Sequence, residues 1–185
     1  MKKLFAVGLC LMLVCALTAC GRDAKKPEDG LDVAYFAKLG QIPETEYRLG
    51  MDIEKLKADL SAKAEEAGEE GFYDLTEGEQ TVRISTDQYS FYYEKGHEEK
   101  GIACIVCLDG GFGFPQNSVT VEVTEQLSAY EGKEHPATEE ETFFLPFAQD
   151  TTCISYTFGE YVLNFVFQEN ALCGIVLYDP QYWAM

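Results

Sequence analysis

Two periods divide the chain. In YRLGMDIEKLKADLSAKAEEAG, starting near Tyr47, the apolar residues Ile53, Leu56, Leu60, Ala64 and Ala67 recur at three- and four-residue steps. Glu and Lys fill the gaps, so the pattern predicts an amphipathic helix. Asp52 can accept from the first free amides as N-cap, and Gly68 can take the left-handed backbone that ends a helix. An acidic loop is expected from Glu69. The period then drops to two. Residues 81–86 alternate Val82 and Ile84 with polar neighbours, 89–93 are rich in aromatics, and 101–108 (GIACIVCL) form a short continuous apolar run. These predict three strands, the last central and buried on both faces.

The second half repeats the order. Residues 117–127 (NSVTVEVTEQL) can be laid on 50–60, so that Val123 and Leu127 fall on Leu56 and Leu60. Residues 152–157, 161–167 and 171–178 answer the three strands. Tyr89 then falls on Tyr161, and Gly101-Ile102 on Gly174-Ile175. Val119, Val121 and Val123 alternate with polar residues, which locally favours a strand. The repeat and the Asn117/Ser118 cap favour a helix there. The expected fold is α+β: two tandem units, each of one helix packed on a three- to four-stranded antiparallel sheet. The expected boundaries are 46–110 and 111–185.

The first twenty residues, MKKLFAVGLCLMLVCALTAC, have a different character. Lys2 and Lys3 form a positive start, and 4–17 an apolar core too short for a convincing transmembrane span. Leu17-Thr18-Ala19-Cys20 resembles the lipobox of bacterial lipoproteins, which implies cleavage before Cys20 and lipidation of its thiol. Residues 1–19 are therefore expected to be a signal peptide. Palmitate-type acyl chains on Cys20 would anchor the chain outside the cytoplasm, each buried methylene contributing about 0.8 kcal/mol. Residues 20–45 are expected to be the lipidated Cys and a flexible linker, since 21–32 (GRDAKKPEDGLD) have little apolar content.

Charge narrows the partners. There are 32 acidic and 14 basic residues among 185. Lys2 and Lys3 are the only charged residues of 1–19, so the processed chain would carry −20. Nucleic acid is excluded as a natural partner, because phosphate binding needs a basic surface. Anionic lipid headgroups should repel the body, leaving it off the membrane on its tether.

The order of helix and three strands, twice over, resembles two groups. One is the tandem helix-plus-meander repeat of the β-lactamase inhibitor protein family; the other is the small envelope lipoproteins of the SmpA/OmlA type. The residues that carry the resemblance are Phe112-Gly113-Phe114-Pro-Gln-Asn-Ser-Val with Glu122-Val123 and Leu127, and the closing run from Leu163 to Ile175 with Glu169-Asn170 at its turn. Departures are Ser128-Ala129-Tyr130 where such repeats have Gly-Pro, and a long acidic loop over 131–142. The resemblance implies the fold and a binding module. It brings no site residues.

Catalytic signals are weak. Cys104, Cys107, Cys153 and Cys173 remain after processing. Cys104-Ile-Val-Cys107 has the CxxC form, but on a strand positions three apart face opposite sides and do not easily share a metal. An exported chain can oxidise some of these thiols; the preferred reading is buried small apolar side chains. His97 and His135 sit in acidic loops, without metal-ligand spacing. No G-x-S-x-G or S-x-x-K is present, and the acids lie in runs typical of solvated faces. The expectation is therefore not an enzyme, with no cofactor and no metal. The chain is read as a membrane-anchored, non-catalytic module that binds a protein or peptide. Tyr92, Tyr161, Tyr182 and Trp183 are the candidate anchors on an exposed sheet face. The alternative is a small-ligand binder or envelope hydrolase using acids in a cleft between the repeats.

Overall fold

The computed structural model describes residues 33–68, 73–108, 112, 125, 127–138 and 150–183. The fold is α+β. Helix α1 is Val33–Lys38 and α2 is Ile53–Ala67. Strands β1 (Asp74–Glu77), β2 (Thr81–Ser85), β3 (Tyr89–Glu94) and β4 (Cys104–Cys107) follow. Then come β5 (Lys133–Pro136), β6 (Thr152–Phe158), β7 (Tyr161–Gln168), β8 (Ala171–Tyr178) and the single-turn helix α3 (Pro180–Trp183). All eight strands form one antiparallel sheet in the order β1-β2-β3-β4-β8-β7-β6-β5.

The order is two four-stranded meanders joined at β4 and β8, each strand of one having a counterpart in the other across that seam. An offset of 72 residues preserves the face: Val82 and Ile154, Ile84 and Tyr156, Phe91 and Leu163, Tyr93 and Phe165, Ile105 and Leu177 all join one core cluster. The expected match of Gly101-Ile102 with Gly174-Ile175 is one residue out of register. Its offset of 73 would lay Cys104, on the second face, over Leu177 on the first.

Helix α2 follows its sequence signals. The Asp52 side chain accepts from the Lys55 amide at 2.8 Å, and Gly68 ends the helix at φ 70°. Ile53, Leu56, Leu60 and Ala64 are buried. Tyr47 packs on Phe91 with ring centroids 4.9 Å apart, and its hydroxyl receives a 2.7 Å bond from Lys63.

Two expectations change, and a third falls largely outside the described residues. Residues 33–45 are not linker: Val33, Ala34, Phe36, Ala37 and Ile42 enter the core, and α1 packs on β6 and β7. The N-terminal segment thus covers strands of the second meander, across the expected boundary at 110. Each meander also has a fourth strand, β1 and β5, drawn from segments expected to be acidic loop. The segment 117–127, expected as a helix, lies outside the described residues except for Glu125 and Leu127; Leu127 is buried.

Gly101 marks the tightest backbone approach. Its φ is 74°, and an added Cβ would lie 2.6 Å from the Gly50 carbonyl carbon and the Met51 oxygen. Gly96 has a similar φ of 78° but open space around it. Gly101→Ala should therefore cost about 2–4 kcal/mol, combining left-handed strain with overpacking. Gly96→Ala should cost about 1 kcal/mol, from strain alone. Urea midpoints of the two variants check this; equal losses would show that the contact with Gly50 and Met51 does not constrain the fold.

Candidate functional site

The expected aromatic anchors do not share an open face. Tyr89, Phe91 and Tyr93 of β3 belong to the helix side of the sheet. Tyr92 points to the second face, where it is 3% exposed and packs in a cluster with Cys104, Val106, Cys153, Val166 and Val176. Its hydroxyl interacts with Arg83 and Ser90. Burial pushes its pKa up to about 12. Tyr161 is half-buried on the helix side, so close to Gly40 that a Cβ there would lie 2.9 Å from its ring. Tyr92 and Tyr161 therefore lie on opposite faces, and Tyr92 is a core residue. Tyr182 and Trp183 belong to α3, but their side chains lie outside the described residues, as does Cys20.

The cysteines divide as strand alternation predicts. Cys107 joins the helix-side core, while Cys104 and Cys153 are buried on the second face with Cys173 packed beside them. None is in a disulfide. Burial raises the thiol pKa of Cys104, Cys107 and Cys173, the reverse of what a nucleophilic thiol needs.

One polar contact was not legible in the sequence. His135 Nε2 lies 2.7 Å from Ser155 Oγ, and His135 Nδ1 lies 2.9 Å from the Pro136 carbonyl oxygen. A carbonyl only accepts, so Nδ1 carries the proton, and in the neutral imidazole Nε2 then accepts from Ser155. The residues are twenty apart and meet because His135 pairs with Cys153, placing Ser155 on the adjacent diagonal. This contact ties edge strand β5 to β6. His97 lies between Glu94 and Glu99, at 3.5 and 3.1 Å, in an exposed turn. Among the described residues no group of three or more His, Cys, Asp or Glu is arranged to hold a metal.

Among the described residues the acids do not gather between the two meanders. The described junction is β4 paired with β8, whose facing residues Cys104–Cys107 and 175–178 carry no charge. Glu134, Asp150 and Glu169 instead line a hollow of about 260 Å³ at the far side of the second meander. A wider hollow of about 560 Å³, lined by Gln41, Thr45, Glu46, Arg48 and Lys55 among others, opens at the start of α2. It holds the Lys55–Glu46 ion pair at 3.2 Å, with both side chains largely exposed.

The two sheet edges differ in kind. β5 carries Lys133 and Pro136, residues that discourage further strand pairing. β1 carries neither. Asp74, Leu75, Thr76 and Glu77 are all exposed, and Leu75 keeps 46% of its surface in solvent. Leu75 also ends a row of directly paired residues on the helix side: Ile84, Phe91, Ile105, Leu177, Leu163 and Tyr156. Five of those six are fully buried and Tyr156 is 5% exposed. The apolar row thus runs into solvent at β1. At the other end Gly132 lies against the outer end of the Tyr156 ring, where an added Cβ would fall 2.7 Å from the ring carbon Cζ and push the ring aside.

No family model and no curated protein matches the chain. A solved structure, that of a DUF4309 family protein (YjgB) from Bacillus subtilis, is similar at a TM-score of 0.49 and 18% identity, over 80% of this chain and 93% of that one.

Tyr92 makes a concrete test of anchor against core. As a core residue, Tyr92→Ala should lose about 3–5 kcal/mol of stability by urea unfolding. Its hydroxyl should also titrate late in an absorbance titration. Because its folded pKa lies above the unfolded value, its contribution is complete below pH 10 and is lost as pH rises toward about 12. Tyr92→Phe should remove that late step. A stable Tyr92→Ala protein would return the residue to the surface.

Proposed function

We propose that the chain is an extracytoplasmic lipoprotein, anchored through Cys20, that binds an extended protein or peptide segment without chemistry of its own. The anchoring part rests on the sequence: the charged start, the short apolar core and the lipobox-like end at Cys20 agree. No described helix is long and apolar enough to cross a membrane. The resemblance to envelope lipoproteins of repeat architecture supports the same reading.

The binding part moves from the sheet face to its edge. The observation that carries it is β1, an edge strand exposed at every position with a large apolar side chain in solvent. An edge strand offers backbone donors and acceptors to an incoming strand, and main-chain pairing supplies affinity while alternate side chains supply specificity.

Two measurements test the reading. In cells, Cys20→Ser should abolish incorporation of a labelled fatty acid and release the protein from membranes; continued labelling would remove the anchor. A photo-crosslinking residue in place of Leu75 should form an adduct in native membranes, and one in place of the exposed Thr157 of β6 should not. Equal adducts at both positions, or none at 75, would refute binding at the edge.

A further inference from the structure

Resting on the edge-binding reading above, we infer that the segment accepted by β1 is basic, with the pattern Lys/Arg, any residue, apolar residue, Lys/Arg. The register leads to this. An antiparallel strand added outside β1 would meet Glu77, Thr76, Leu75 and Asp74 in that order. Its residue opposite Leu75 would fall on the helix side, extending the row that runs through Ile84, Phe91 and Ile105. An apolar side chain there covers the exposed Leu75 surface. Its residues opposite Glu77 and Asp74 would each face a carboxylate.

Those carboxylates select by charge. Glu77 pairs with Lys95 at 2.8 Å, and this neighbour lowers its carboxyl pKa, so the group is ionised at neutral pH. A carboxylate has several lone-pair sites and can accept a second cation beside Lys95. Like charges directly opposite each other destabilise a ladder. A second copy of this chain is therefore disfavoured: the antiparallel register pairing all four residues of β1 with themselves puts Asp74 against Glu77 twice. An acidic strand is rejected for the same reason. Thr76 sits beside Arg83, whose Nη2 lies 3.4 Å from its hydroxyl, so the partner position opposite Thr76 has no acid to meet.

The test uses the full processed chain and two fluorescent twelve-residue peptides, carrying Lys-Thr-Val-Lys or Glu-Thr-Val-Glu at their centres. Anisotropy should show the basic peptide binding about tenfold or more tighter. The double variant Asp74→Lys, Glu77→Lys should reverse the preference, and Leu75→Lys should weaken both peptides. Circular dichroism should show all variants folded, since β1 is exposed. If both peptides bind equally and both are lost in Leu75→Lys, the edge still binds but the charge rule is overturned. If neither binds and Leu75→Lys changes nothing, edge binding itself fails. A concentration-dependent dimer abolished by Leu75→Lys would assign the edge to a second copy and overturn the inference.

Discussion

The pairing of β4 with β8 holds the molecule together. Four residues on each side, Cys104–Cys107 against 175–178, turn two local meanders into one eight-stranded sheet. Each meander taken alone has few strands and an apolar face that it cannot fully cover. Joined, they carry an unbroken apolar row from Ile84 through Ile105 and Leu177 to Tyr156. Cys104, Ile105 and Val106 are fully buried and Cys107 nearly so, which places the seam where polar residues would be most costly. This is why the central strands are short uninterrupted apolar runs.

That same burial explains where the sequence was readable. The cap and stop of α2, Asp52 and Gly68, act locally and appear in the structure as read. Cys104 and Cys107 fall on opposite faces because strand alternation needs no tertiary information. Tyr92 was misplaced because alternation assigns a side but not its exposure: β3 is buried on both faces, and Ser90 and Tyr92 are as enclosed as Phe91. Strands β1 and β5 escaped notice because edge strands read as polar loop, and DLTE and KEHP have no apolar period. Helix α1 is too short for a period of 3.6 to emerge. Its burial depends on β6 and β7, more than a hundred residues away. The meeting of His135 and Ser155 likewise depends on a register that no local pattern states.

Among the described residues, five of the nine Lys and Arg are committed to acids. Lys55, Lys57, Lys63, Lys95 and Lys100 each lie against a carboxylate. Such surface pairs contribute little to stability. Each pair sets one base against one acid, so the excess of acids over bases is unchanged by them. The formal net charge is −18, so the net field at a distance is negative, and its range is set by salt.

A field of that kind cannot select a site, because it has no single focus. It can select a class of visitor. It raises the encounter rate of basic segments and lowers that of acidic ones, including further copies of the same chain. Which segment stays is then decided at short range, where backbone groups and one apolar side chain are both available. Among the described residues that combination occurs at β1, where Leu75 stands between two carboxylates at the end of the core row. At β5 the same long-range attraction meets Lys133 and Pro136, and pairing is discouraged. On the proposed edge binding, the asymmetry of the two edges, in a sheet whose interior is nearly symmetric, is what would turn a general negative charge into a directed preference.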